Sequence, residues 1–90
     1  METDNNEEAD PLDEAYNDAL EEFNKGNYSI AKEILTNIII KKDSADAYYL
    51  IGKILYEQDD KLGALSFVKK AISIDSGHEE ANEFLLELKH

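Results

Sequence analysis

The chain of 90 residues has no Cys, no Trp and no Arg, one Pro and four Gly. Without Cys, disulfides and thiolate metal sites are unavailable, which suits a reducing compartment. No stretch approaches 18 uninterrupted apolar residues, and the N-terminus is acidic where a secretory leader is basic and then apolar. These features predict no membrane span and no signal peptide, and place the expected protein in the cytoplasm. Positive charge is scarce as well: nine Lys stand against 21 acids, for a formal charge of −12. Phosphate recognition needs a basic face, so nucleic acid is excluded as an expected partner. A chain this short buries only roughly 60–65% of the surface its unfolded form exposes, and modest stability is expected.

The acids that are present cluster. Glu2, Asp4, Glu7, Glu8, Asp10, Asp13 and Glu14 contribute −7 within residues 1–14, and no Lys offsets them. Residues 1–9 lack an apolar period and read as a disordered acidic tail. Two roles suit it: a solubilising extension, or an electrostatic latch over Lys53 or on a basic partner. A single domain spans residues 10–90, opening with Asp10 as N-cap and Pro11 at the first helical position.

From Pro11 onward the apolar residues keep a helical period. Leu12, Ala15, Tyr16, Ala19, Leu20 and Phe23 form one stripe, ended near Lys25 by Gly26. A second helix is predicted over about 28–41, with Ile30, Ala31, Ile34, Leu35, Ile38 and Ile39 inward, and Ser44 caps a third over about 45–58. A fourth covers about 61–74. Ser76-Gly77-His78-Glu79 fits the S-x-x-E capping box before a last helix over about 78–90, with Ala81, Phe84, Leu85 and Leu88 on its apolar face. The expectation is all-α: two antiparallel helix pairs and a capping helix, five helices without strands.

The chain also repeats. Gly26-Asn27-Tyr28 followed by Ala31 aligns with Asp59-Asp60-Lys61 followed by Ala64, an offset of 33, and Ile34, Leu35 and Ile38 align with Phe67, Val68 and Ala71. A helix-turn-helix unit of this length cannot bury its own apolar face and stacks on its neighbours. Tyr48, Ile51, Gly52 and Leu55 fall on a Trp-x-x-Leu-Gly-x-x-Tyr spacing. Ala64, Val68 and Ala71 fall on the small, aromatic and small positions that follow, and Ile74-Asp75-Ser76 stands in place of Leu-Asp-Pro. In these residues the chain resembles the tetratricopeptide repeat family, with one repeat over about 12–43, a second over about 45–77 and a capping helix. The first repeat departs from the pattern at Asp18 and Ala19. Gly52 suits a close helix crossing, and Ala64 and Ala71 keep it tight.

The resemblance implies an α-solenoid and a non-catalytic scaffold that binds a peptide or partner surface in a concave groove. Carried over by position, the groove takes Tyr16, Leu20 and Phe23 from the first repeat. Asp46, Tyr49, Lys53, Tyr56 and Glu57 come from the second, and Glu80, Glu83, Phe84 and Glu87 from the last helix. An aromatic strip with an acidic border suits an apolar or basic protein segment. Tyr16, Phe23 and Phe84 read equally as core. The carboxylate clamp of co-chaperones in this family uses Lys, Asn and Arg, whereas the matching positions here are Tyr16, Leu20, Leu50, Glu80 and Phe84.

An enzyme is not expected, and neither is a cofactor or a metal. His78 is expected to be a solvated turn residue and His90 ends the chain, so no general base is held by a third group. The glycines are scattered singly, and Asp59-Asp60 reads as turn plus cap. The alternative to a peptide receptor is structural self-association as a weak homodimer, or service as the end piece of a larger assembly, since two repeats are few for a stable solenoid.

Overall fold

A computed structural model describes residues 10–89. The expected acidic tail, residues 1–9, lies outside the described residues. Five helices and no strand occur among those described: α1 (Pro11–Asn24), α2 (Tyr28–Lys41), α3 (Ala45–Glu57), α4 (Lys61–Ile74) and α5 (Glu79–Leu88). Each packs on the next in sequence, and α1 also touches α3. That serial packing is the arrangement expected of a helical repeat.

Local chemistry sets most of the helix ends. Asp10 accepts from the Leu12 N–H at 2.9 Å, with Pro11 at the first helical position. Ser44 Oγ accepts from the Ala47 N–H at 3.1 Å, and Asp60 Oδ1 from the Gly63 N–H at 2.9 Å. Each bond satisfies a first-turn donor that the helix itself cannot.

The 33-residue repeat reappears as backbone geometry. α1 ends with Gly26 at φ +84°; the Gly26 N–H donates to Phe23 O at 2.9 Å and the Asn27 N–H to Glu22 O at 2.8 Å. α3 ends the same way, with Asp59 at φ 67°, Asp59 N–H to Tyr56 O at 3.0 Å and Asp60 N–H to Leu55 O at 2.8 Å. Both are Schellman turns. Asp59 therefore sits where an L side chain meets the following carbonyl oxygen. Asp59→Gly is expected to raise stability by about 0.5–1 kcal/mol in urea unfolding. Asp59→Asn, which removes the charge and keeps a side chain, should gain less.

The core forms two clusters. The first gathers Ala19, Leu35, Ile38, Leu50, Ile51 and Ile54, and the second Val68, Ala71, Ala81, Phe84 and Leu88, with Leu55 packed against both. Leu35, Leu50, Ile54 and Val68 are fully buried, and each contributes about 1.5–3 kcal/mol by leaving water. Alanines at 19, 31, 47, 64, 71 and 81 are completely covered, because the helices approach closely there. Gly52 marks the tightest crossing: a Cβ on it would stand 2.8 Å from Val68 Cγ2 and 3.2 Å from the Ala64 carbonyl oxygen.

Three sequence expectations are corrected. Ile30 is not inward but 49% exposed, since it lies roughly 100° around α2 from the fully covered Ala31, on the flank of the apolar stripe. Ser76 does not cap the last helix. The Asp75 carboxylate accepts from the Gly77 N–H at 3.0 Å and the Asp75 carbonyl from the His78 N–H at 3.1 Å. That turn consumes Ser76 and Gly77 and delays the helix until Glu79. His78 becomes the N-cap, its Nδ1 accepting from the Ala81 N–H at 3.1 Å. His78 is accordingly no solvated turn residue; it is 7% exposed.

Candidate functional site

The α3–α5 face carries the densest gathering of the expected groove residues. On α3, Tyr49 and Lys53 are four apart and Tyr56 three further on, so one face presents all three. On α5, Glu80, Glu83, Phe84 and Glu87 share the facing side by the same spacing. Tyr49, Lys53, Glu80, Glu83, Phe84 and Glu87 line an open hollow of about 160 Å³. Phe84 is its floor, buried to 6% exposure and packed in the second core cluster. Tyr49 meets it edge-on at 6.1 Å between centroids and Tyr56 at 5.5 Å. The Lys53 ammonium lies 5.9 Å from the Tyr49 ring centroid and 5.6 Å from that of Phe84, within the range where a cation is attracted to a ring face.

Beneath Tyr49 lies a pair that sequence reasoning missed. His78 Nε2 is 2.6 Å from Asp46 Oδ1, and the His78 and Tyr49 rings are 5.2 Å apart. Because Nδ1 accepts from Ala81, hydrogen bonding assigns the ring proton to Nε2, facing Asp46. Both nitrogens are thus engaged, one in capping α5 and one in tying it to α3. Neither is left to take a substrate proton. Nothing in the sequence pairs two residues 32 positions apart; the one local hint is that His78 stands three before Ala81, at N-cap distance.

The remaining expected residues divide. Tyr16 is half-buried against the first core cluster; that burial, then the Asp46 and Glu80 carboxylates and Tyr49, push its phenol up to about 12. Burial, followed by Glu80, Glu87 and Glu83, raises Tyr49 as well. Leu20 and Phe23 are half-buried against the first core cluster, with Phe23 5.6 Å from the Tyr28 ring. Glu57 lies apart, lining a second hollow of about 380 Å³ at the α3–α4 turn with Tyr56, Asp59 and Lys61. That larger hollow is rimmed mainly by exposed polar groups, and Tyr56 is the ring it shares with the aromatic site.

The raised tyrosines predict alkaline sensitivity. The fold favours protonated Tyr16, so its contribution is intact below the unfolded value near 10 and is lost as pH rises toward 12. In an absorbance titration, Tyr16 should ionise near pH 12 and Tyr49 above the ordinary tyrosine range. Tyr16→Phe should flatten the fall in stability over that window; an unchanged slope would place the effect elsewhere.

Among the described residues no helix is long and apolar enough to cross a membrane. No protein-family model matches the chain, and a search of curated proteins returns no match.

Proposed function

We propose that this chain is a non-catalytic protein-interaction module that captures a peptide segment of a partner protein on the α3–α5 face. One observation carries the reading: three aromatic rings, Tyr49, Tyr56 and Phe84, form a continuous strip bordered by Glu80, Glu83 and Glu87. Rigid rings with a polar rim suit protein recognition. The tetratricopeptide-like spacing of Tyr48, Ile51, Gly52 and Leu55 supports the same role, as does the serial helix packing. A partner segment that is apolar, basic or both fits the border, while nucleic acid would be repelled by it. A cytoplasmic setting belongs to the same proposal and rests on the cysteine-free composition.

The test compares wild type with Tyr49→Ala/Tyr56→Ala in a pull-down, followed by backbone amide shifts with the recovered partner. Retention by wild type and loss by the variant, with shifts on α3 and α5, is expected. Shifts confined to α2 and α4 would sink the assignment.

Self-association is the second reading, favoured by the exposure of Leu62, Ile40 and Leu86 at 80%, 74% and 61%. A mass that rises with concentration in sedimentation would support it.

A further inference from the structure

We propose that the α3–α5 groove is a receptor for one partner cation, a lysine or arginine side chain presented by an apolar segment, and that Lys53 is the chain's own placeholder for it. The inference rests on the groove reading above and adds the chemistry of the occupant.

Three observations converge on it. First, the hollow is already a cation site in geometry, with the Lys53 ammonium under 6 Å from two ring centroids. Second, its charge is unbalanced: three glutamates line it against one lysine. Among the described residues Lys53 forms no ion pair with any of the three; the pairs present are Lys25–Glu21 and His78–Asp46. The glutamates keep their attraction for an incoming charge, and Lys53 rests on the rings. Third, about 160 Å³ suits one inserted side chain and falls short of the roughly 300–1,000 Å³ typical of small-molecule pockets. The same carboxylates raise the Tyr49 phenol, after burial, so negative potential reaches the ring itself.

Charge also argues against a nearer occupant, the acidic tail as a latch over Lys53. Residues 1–9 carry Glu2, Asp4, Glu7 and Glu8 and no Lys or Arg. That segment would meet three glutamates with like charge. The Lys41-Lys42 and Lys69-Lys70 pairs of a second copy have the right sign, and the test separates them.

The probe is the blocked peptide Ac-Ala-Leu-Lys-Leu-Ala-amide, with counterparts carrying Gln or Glu in place of Lys, titrated into the ¹⁵N-labelled full chain. The Lys peptide should shift the Tyr49, Lys53, Glu83 and Phe84 amides. The Gln peptide should bind roughly three- to ten-fold more weakly and the Glu peptide more weakly still, with the difference shrinking in high salt. Lys53→Gln, which removes the competitor, should tighten the Lys peptide roughly two- to five-fold and leave the Gln peptide unchanged. Lys69→Gln, the same charge change at an exposed site on α4, should do neither.

Equal binding of Lys and Gln peptides at the groove would overturn the cation claim while leaving a peptide groove standing. Equal gains from Lys53→Gln and Lys69→Gln would assign the effect to bulk charge and overturn the placeholder. Shifts outside α3 and α5, or none with any peptide in either protein, would remove the cation site. If the groove amides move with protein concentration alone, a second copy is the occupant and the proposal fails.

Discussion

Replacing Gly52 with leucine is expected to cost about 3 kcal/mol or more in urea unfolding, a large share of the roughly 5–10 kcal/mol that a domain of this size commands. Even alanine should cost about 1–2 kcal/mol. An exposed helical glycine would behave oppositely, since alanine is better by about 1 kcal/mol in helix propensity. The sign turns on what the new Cβ meets. Val68 Cγ2 at 2.8 Å is β-branched, stiff at χ1 and completely buried, and the Ala64 oxygen at 3.2 Å is backbone. Neither yields without separating α3 from α4. A double-mutant cycle isolates the Val68 contact: in a Val68→Ala background the cost of Gly52→Ala should shrink to what the Ala64 oxygen imposes, giving a coupling of about 1 kcal/mol. A stabilising Gly52→Ala in the wild-type background would show that the two helices do not meet this closely.

His78→Ala should cost about 2–3 kcal/mol, a size more usual for core residues than for a position between a turn and a helix. One substitution removes three things. The cap bond to the Ala81 N–H is worth about 1 kcal/mol. The buried ring loses its packing on Tyr49, and the 2.6 Å bond to Asp46 is lost. That last bond weighs less than its length suggests, because the Asp46 side chain is 63% exposed and regains water. His78→Asn should recover part of the loss by capping α5 with its shorter side chain, without reaching Asp46. In hydrogen exchange, the Ala variant should release the first-turn amides of α5 well before those of α3. Equal costs for Ala and Asn would mean that the cap contributes little. Glu80, Glu83, Phe84 and Glu87 all ride on α5, so any loosening there should also weaken the groove.

The helices were readable because helix information is local. Leu12 to Phe23 and Ala64 to Ala71 keep their periods within a few turns, and Asp10, Ser44 and Gly26 act on neighbours two to five residues away. The predicted ranges of the first four helices accordingly agree with the structure to within a residue or so. At the start of α5 two local signals competed. Ser76 and Glu79 matched a capping box, but the Asp75 side chain and carbonyl closed a turn first and handed the cap to His78. The pattern cannot rank the two, since both use the same short reach. Ile30 misled for a simpler reason: it lies on the flank of the stripe, roughly 100° around α2 from Ala31, and periodicity does not say how wide a face the neighbouring helices cover.

The site was readable in part. Spacing alone puts Tyr49, Lys53 and Tyr56 on one face of α3, and Glu80, Glu83 and Glu87 on one face of α5. Which rings touch is another matter. Phe84 serves as floor and core together, Phe23 belongs with Tyr28, and Glu57 faces a separate hollow. Those outcomes depend on how far each helix is rotated and shifted against the next.

Lacking cysteine, arginine and long apolar runs, the sequence by itself determined that the described residues of this small, acidic chain form five helices, and that a close crossing falls at Gly52. Helix period, caps and small residues express themselves over a few positions, whatever the remainder of the chain does. Tertiary structure alone decided that Asp46 meets His78 across 32 residues, that Lys53 rests on two rings, and that three glutamates surround it. Such contacts are fixed by the angle at which α5 stacks on the α3–α4 pair, and no single stretch of sequence encodes that angle.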